Sequence, residues 1–396
     1  MTESELSRRL AREPVPGEDE AADRAWEVVR AAFATRDRVP RPTHRWRAVL
    51  VVALLAALVV AAVTPPGRAV VEKIREAVGT NTSEPTLVRL PAQGRLLVLS
   101  AQGPWVVRQD GLKRFLGDYT DASWSPRGRY VVAAQDKQLI ALDPESGDVR
   151  WKLPRPAVRD PRWSGGGLDT RIAYRAGDSL HVVAGDGSPD AVLVPKVAPV
   201  APAWKPDSHV LAFAGIDGRV HVVDVDSRRE LWRTPRIEGI RRLGFSGRLL
   251  VVLTGRNARL YGPHRLIRLA VSPALPKGHV LLDAAPLSGG RVLYADYDPA
   301  AGATAIVLAY CFAPGPCILV GPSQVFQGPG RIGNFTLSPD GRWLAAGWPE
   351  SDQFLFFNTR RANKVVFVPN VTREFAPGGA TGGPFPRIAG WAPSAP

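Results

Sequence analysis

The sequence predicts an all-β ring, a seven-bladed β-propeller, and three observations carry that prediction. A short phrase recurs in which an apolar run ends on an aromatic residue or Leu and is followed by Ser or by a residue and Pro. It reads Ser123-Trp124-Ser125-Pro126, Arg162-Trp163-Ser164, Ala203-Trp204-Lys205-Pro206, Gly244-Phe245-Ser246, Pro286-Leu287-Ser288, Thr336-Leu337-Ser338-Pro339 and Gly390-Trp391-Ala392-Pro393. The anchors stand 39, 41, 41, 42, 50 and 54 residues apart, and a period near 40 with several strands per unit marks a propeller. Finally, the two ends complete one another. Residues 95–116 hold three strand-like runs without a leading phrase, and Pro386–Pro393 is that phrase without following strands. Joined, they make a seventh blade whose innermost strand comes from the far end of the chain, which removes an exposed sheet edge. Because the last two steps are long, six or eight blades stay open at this level.

Ahead of the ring lie about 85 residues of different character. Residues 1–47 carry ten Arg against nine Asp and Glu, and Ala22, Trp26, Val29 and Phe33 fall on one face of an amphipathic helix. Trp26 and Phe33 are the candidate docking residues for a cytoplasmic partner, with a stalk lying on the membrane or on a sister chain as the equal alternative. Residues 48–64, AVLVVALLAALVVAAVT, are seventeen without a charge, the short end of what crosses a hydrocarbon core. Arg36, Arg38, Arg41, Arg45 and Arg47 crowd one flank, against Arg68, Lys73 and Arg75 on the other. By the positive-inside rule this predicts a single-pass membrane protein with residues 1–47 cytoplasmic and the remainder exported. A cleaved leader is the rival reading, but its basic region would be some 47 residues long. Val70, Val71, Ile74 and Val78 then give a juxtamembrane helix stopped by Gly79, and the segment 65–85 ends in a linker. The propeller domain is expected over 86–396.

Within the ring each unit resolves into apolar runs broken by Gly, Asp or Pro. The first three runs are Arg95–Leu99, Pro104–Arg108 and Lys113–Leu116. The full units that follow hold Tyr130–Ala134, Leu139–Leu142 and Val149–Leu153, then Arg171–Tyr174, Leu180–Ala184 and Ala191–Val194, then Val210–Ala214, Val220–Asp224 and Glu230–Arg233. Next come Leu249–Leu253, Ala258–Tyr261 and Leu266–Leu269, a wider unit with Val292–Ala295, Ala305–Tyr310 and Cys317–Val320, and lastly Trp343–Ala346, Gln353–Phe357 and Val365–Val368. The anchors Trp124, Trp163, Trp204, Phe245, Leu287, Leu337 and Trp391 are read as repeat packing between blades. The stretches around Ala309–Val325 and Pro369–Pro384 are read as the longest irregular insertions and the first loops to examine for partner contact.

Two of these phrases resemble known repeats. Residues 141–151, Ala-Leu-Asp-Pro-Glu-Ser-Gly-Asp-Val-Arg-Trp, are similar to the quinoprotein-like propeller repeat, with a degenerate copy at Val222–Trp232. Residues 337–342, Leu-Ser-Pro-Asp-Gly-Arg, resemble the repeat of TolB-like and WD40-like bacterial propellers. Both resemblances cover repeats only and imply a propeller, not an activity. The Gly-His and Trp-Asp dipeptides of eukaryotic-type WD40 repeats are missing, and no quinone-binding residues can be matched.

The chemistry-bearing residues are few. Cys311 and Cys317 are the only cysteines and bracket a Pro-Gly-Pro turn between strand-like runs, so a hairpin-stapling disulfide is expected in an exported domain. The six His show no metal-ligand spacing, and His181 and His221 occupy equivalent strand positions, which reads as packing or surface. Asp224 and Asp226 sit at a strand end, where turn formation accounts for them. No catalytic, cofactor-binding or metal site is expected. The net charge of +14 comes mostly from Arg, with eight Lys among 51 basic residues. That bias fits a GC-rich genome, so the charge by itself does not argue for nucleic acid, and none is expected as a partner. A positive field still favours anionic partners. The expectation is a non-enzymatic, membrane-anchored binding scaffold at the bacterial cell envelope, with membrane lipid around its span and a protein or envelope polymer as partner. The alternative is a transmembrane sensor whose N-terminal helix binds a cytoplasmic regulator, organised as anti-sigma factors are.

Overall fold

A computed structural model describes residues 89–164, 169–246, 248–262, 268–269, 275–312, 318–361, 364–376 and 383–394. The expected cytoplasmic helix with Trp26 and Phe33, the span 48–64 and the juxtamembrane segment 65–85 lie outside the described residues. Among the described residues no helix is long and apolar enough to cross a membrane.

Seven four-stranded antiparallel sheets follow one another along the chain. Blade I consists of β1 (Arg95–Ser100), β2 (Gly103–Val107), β3 (Lys113–Phe115) and, innermost, β28 (Arg387–Ala392). Blade II is β4 (Asp121–Trp124), β5 (Val131–Gln135), β6 (Gln138–Leu142) and β7 (Val149–Pro154). Blade III is β8 (Val158–Trp163), β9 (Arg171–Ala176), β10 (Ser179–Ala184) and β11 (Asp190–Val194). Blade IV is β12 (Ala203–Trp204), β13 (Val210–Ala214), β14 (Val220–Asp224) and β15 (Arg229–Arg233). Blade V is β16 (Ile240–Ser246), β17 (Leu249–Thr254), β18 (Ala258–Tyr261) and β19 (Arg268–Leu269). Blade VI is β20 (Val280–Leu287), β21 (Arg291–Asp298), β22 (Ala303–Phe312) and β23 (Ile318–Pro329). Blade VII is β24 (Gly333–Leu337), β25 (Trp343–Trp348), β26 (Gln353–Asn358) and β27 (Val365–Pro369).

The ring closes as the two ends of the sequence predict. β28 pairs antiparallel with β1, with Leu96 opposite Trp391 and Leu99 opposite Arg387. The strand sequences follow from their place in the ring. The two middle strands of a blade are covered on both faces by neighbouring blades, so they read as unbroken apolar runs: Val131–Ala134 and Leu139–Leu142 are buried throughout, as are Phe354–Phe357. Small residues such as Ala133, Ala212 and Ala345 stand where neighbouring sheets approach. Outer strands meet water, and β7 has no buried residue.

The recurring phrase has a local cause. Ser125 takes the amide hydrogen of Tyr130 on its Oγ at 2.9 Å and donates its own amide to the Tyr130 carbonyl at 2.8 Å. Ser338 repeats this with Trp343 at 3.0 and 2.8 Å, and Ser164 with Arg171 at 2.8 and 2.7 Å. One serine thus satisfies both ends of the turn that leads from the inner strand to the next. Gly128 and Gly341 take the left-handed conformation that the tight return requires (φ 70° and 65°).

Two expectations need correction. Ala309–Val325 is not an irregular loop in its described part: β22 and β23 form a long hairpin, paired from Ala303–Pro329 down to Phe312–Ile318. Gly321 and Pro322 misled the reading, because β23 is an outer edge strand where Pro leaves no ladder hydrogen bond unmade. The described part of Pro369–Pro384 holds a single helical turn, α1 (Val371–Glu374), and so is not irregular throughout. Val371 and Phe375 are buried against Phe354 and Leu90, and Lys113 of β3 pairs with Glu374.

Candidate interaction surface at the channel mouth

The innermost strands carry a polar seam that the repeat pattern hides. Starting at blade V, Arg242 donates a hydrogen bond to Asp283 of blade VI at 2.6 Å, and its second terminal nitrogen stands 2.6 Å from the other carboxylate oxygen. Asp283 also accepts the Phe335 amide of blade VII at 2.8 Å. Asn334 of blade VII donates to the Ile388 carbonyl of blade I at 3.0 Å. Arg387 of blade I then donates to Asp121 of blade II at 2.7 Å, and Arg162 of blade III approaches the other oxygen of Asp121 at 3.5 Å. Trp204 of blade IV closes on the Arg162 carbonyl through its indole N–H at 2.7 Å. Six consecutive seams are stitched in this way. The seventh, between blades IV and V, is packed by Ala203, Ile237 and Leu243 instead.

Asp121 and Asp283 are therefore each reached from the blades on both sides, which only the axis-facing edge of the sheets allows. Asp283 is almost wholly buried, and burial pushes its carboxyl above the ordinary range against the opposing pull of Arg242 and the two amides it accepts. The inner strands reach this geometry through β-bulges: the register shifts within the inner strand pairing of blades I, III, V, VI and VII. A bulge turns a side chain off the regular alternation. Asp160 and Asn334, at positive φ of 53° and 60°, stand at two of them.

Counting back four residues from the anchors Trp391, Trp163 and Phe245 reaches Arg387, Arg159 and Arg241. All three are exposed, and they belong to alternate blades I, III and V. Arg331, at the start of blade VII, is exposed as well and lies over the Tyr297 ring at 4.8 Å. Arg159, Arg241 and Arg331 have no acidic partner within 4 Å among the described residues. The undescribed stretches between 89 and 396 contain no Asp or Glu. Exposed carboxylates stand at the same level, Glu238 three residues ahead of Arg241 and Asp118 three ahead of Asp121, while Asp121 and Asp283 are themselves buried against arginine.

The anchor residues lie between blades. Trp124, Trp163, Trp204 and Trp391 are buried in clusters that join neighbouring sheets. Phe245, Leu287 and Leu337 are partly buried against such clusters. Four of these side chains share one role but not one bonding pattern, since Trp204 alone has an acceptor for its indole N–H among the described residues. His181 and His221 do occupy equivalent positions, each stacked on the residue opposite in the neighbouring strand, Tyr174 at 5.1 Å and Phe213 at 5.2 Å. Around His181 the stack is a buried polar network. Tyr174 donates to Asp190 at 2.8 Å and Arg155 pairs with the same carboxylate. Burial raises the Tyr174 hydroxyl and lowers the His181 imidazole, so both are held neutral. Asp224 accepts the Ser227 amide and hydroxyl, a turn contact as expected. Asp226 instead pairs with His209 at 2.5 Å and Arg171 at 3.3 Å. Burial works to lower His209, but Asp226 and the Asp169 carbonyl outweigh it and raise the imidazole.

Among the described residues no group of three His, Cys, Asp or Glu side chains could hold a metal ion. The Cys311 and Cys317 side chains lie outside the described residues. No family model matches this chain, and no curated protein matches it by sequence. Among solved structures it is similar to the RRP9 WD40 repeats, with 13% identity over 63% of this chain and 79% of that one at a TM-score of 0.48. Hsv2p of Kluyveromyces lactis matches at 12% identity over 67% of this chain and 89% of that one, TM-score 0.48. Kuenenia stuttgartiensis hydrazine synthase matches at 12% identity over 60% and 75%, TM-score 0.45. At that level of likeness no activity or partner transfers, and the TolB-like and quinoprotein-like phrases remain resemblances of repeats.

Proposed function

We propose that this chain is a non-enzymatic binding scaffold: a rigid propeller that presents the arginine-rich channel mouth to a partner. The observation that carries the reading is the placement of exposed arginines near the starts of the inner strands of alternate blades, Arg387 and Arg159 at equivalent paired positions and Arg241 in a bulge, around an axis where Asp121 and Asp283 join neighbouring blades. A rigid ring holds charged groups at set separations without an ordering cost at binding. The same reading makes the scaffold a single-pass membrane protein with the propeller outside the cytoplasm. That part rests on the charge-free run 48–64 and on the five arginines between 36 and 47. Export in turn predicts a Cys311–Cys317 disulfide.

Two measurements test it. A reporter active only outside the cytoplasm, fused after Pro396, should be active; an inactive reporter with an active cytoplasmic one overturns the topology. A photo-cross-linking residue at position 159 or 241 in the full chain should trap a discrete partner that the same residue at Asp148, on the far face of blade II, does not. Equal trapping at both places would remove the mouth from the account.

A further inference from the structure

We propose that the face of the ring opposite the channel mouth lies against an anionic lipid bilayer, and that the blade VI hairpin and the basic turns of blades V and VII make the contact. This rests on the single-pass reading above and deepens it by naming the surface that meets the bilayer.

Strand register gathers the parts on one face. The inner strands start together at the mouth, since Arg242 reaches Asp283 and Asp283 reaches Phe335 across their starts. Their ends stand together on the opposite face. In blade VI that end is Leu287, which lies opposite Arg291, and Arg291 lies opposite Tyr310. β22 and β23 stay paired two residues past this level, as far as Phe312 and Ile318. At the usual strand rise the hairpin overhangs the inner half of its blade by about 7 Å. The chain also enters the ring on this face, because Arg95 at the start of β1 lies opposite Ala392 at the end of β28. Residues 65–94 separate that entry from the charge-free run 48–64.

Composition sets the apolar part of the contact. Residues 299–330, which contain the whole hairpin, carry no Asp, Glu, Lys, Arg or His. β23 is a twelve-residue edge strand, and an edge facing water is ordinarily guarded by charge. Tyr310 is 42% exposed where the overhang begins, and Tyr suits the boundary between headgroups and hydrocarbon.

Charge sets the lipid class. On the same face the turns of blades V and VII expose Arg248, Arg342, Arg360, Arg361 and Lys364. The one carboxylate among them, Asp340, accepts the Ser338 hydroxyl at 2.6 Å and the Arg342 amide at 3.0 Å. Arg360 and Arg361 have no acidic partner within 4 Å among the described residues, and the undescribed positions of these turns hold no Asp or Glu. Blades II to IV expose Glu145, Asp148, Asp186 and Asp207 on this face, which confines the contact to the sector around blade VI. A basic cluster beside an uncharged, Tyr-bearing hairpin supplies the two signals that together hold a domain on an anionic bilayer. Entry of the chain on this face favours a bilayer over a protein as the occupant, since the predicted span tethers the ring there. The mouth with Arg159 and Arg241 then points away from the lipid, open to a partner.

The test uses the full-length chain in nanodiscs of phosphatidylglycerol and phosphatidylcholine in equal parts, with a photo-cross-linking residue at position 310 or 216. Ile216, 70% exposed, sits in the turn between β13 and β14 on the mouth face and controls for apolar exposure alone. Mass spectrometry should find peptide–lipid adducts from position 310 about tenfold above those from position 216. Arg360→Gln with Arg361→Gln should lower the yield at 310 about threefold at unchanged melting temperature, as should nanodiscs of phosphatidylcholine alone. Equal yields at 310 and 216 overturn the proposal, and so does a yield at 310 that ignores both the arginines and the lipid charge. A discrete protein adduct at 310 in cells, in place of lipid, makes this face a protein interface instead. No adduct at 310 from a chain that stays in carbonate-washed membranes overturns this inference alone. No adduct from a chain that carbonate releases overturns the single-pass reading with it.

Discussion

Removing the Asp283 carboxylate by Asp283→Ala probes the polar seam where it is most buried. The Phe335 amide, itself inside the core, loses its only side-chain acceptor, a loss of about 1–3 kcal/mol for a buried unsatisfied donor. Arg242 loses its partner too, but its side chain is 40% exposed and rehydrates, so that part is worth only about 1 kcal/mol. The sum is about 3 kcal/mol. Unfolding entropy of about 2.1 cal/mol/K per residue over about 300 residues converts this to a fall in Tm of about 5 °C. Calorimetry or near-ultraviolet circular dichroism of purified variants reads it, with Asp148→Ala as the exposed control expected within about 1 °C of the parent. Adding Arg242→Met to Asp283→Ala should cost little more, because the pair is already broken. An Asp283→Ala protein that melts with the control would refute the claim that the inner carboxylates fix the seams.

Three further outcomes are expected. Trp204→Phe should cost about 1 kcal/mol more than Trp163→Phe in denaturant unfolding, since of these two indoles Trp204 alone donates to a carbonyl among the described residues, that of Arg162. His209 is raised in the fold, so the stability it contributes is fully present below its ordinary value of 6.5 and fades as pH climbs through the higher folded value. The stability gap between the parent and His209→Gln should therefore be wider at about pH 5.5 than at about pH 8.5, and a constant gap would contradict the pairing with Asp226. If the propeller is exported as proposed, a non-reducing peptide map should show residues 311 and 317 linked, and two free thiols would reject the disulfide.

The ring was legible in the sequence because one physical device repeats in it. A large anchor fills the space between neighbouring sheets, and where Ser follows it satisfies both ends of the next turn, as at Ser125, Ser164 and Ser338. The anchor recurs once per blade, and the serine turn is formed in blades II, III and VII. Closure was legible for the complementary reason that β28 has an anchor and no partners of its own. The two long steps, 50 and 54 residues, look alike in sequence and have different causes. One lies inside blade VI, whose outer strands β22 and β23 run to 10 and 12 residues, and the other between blades VII and I, where α1 docks. Gly and Pro punctuate both, so local propensity could not separate them. The channel mouth was not found because its residues are conspicuous only once the blades are superposed. Arg387, Arg159 and Arg241 share one sequence offset from their anchors, which was the available signal, although the bulge in β16 places Arg242 and not Arg241 at the paired position. Asp121 and Asp283 had none, since their partners come from other blades.

Closure of the ring by the C-terminal strand underlies every other statement, and one cross-link tests it directly. Arg95 lies opposite Ala392, and two residues further out on each strand Gln93 and Ser394 are exposed and line one cavity of about 690 Å³. With Gln93→Cys and Ser394→Cys in the full chain, a short bismaleimide should join positions 93 and 394 in the folded protein, seen as one linked peptide pair by mass spectrometry and lost in urea. Absence of that pair from folded protein, with both thiols reactive, would contradict the closed seven-bladed ring.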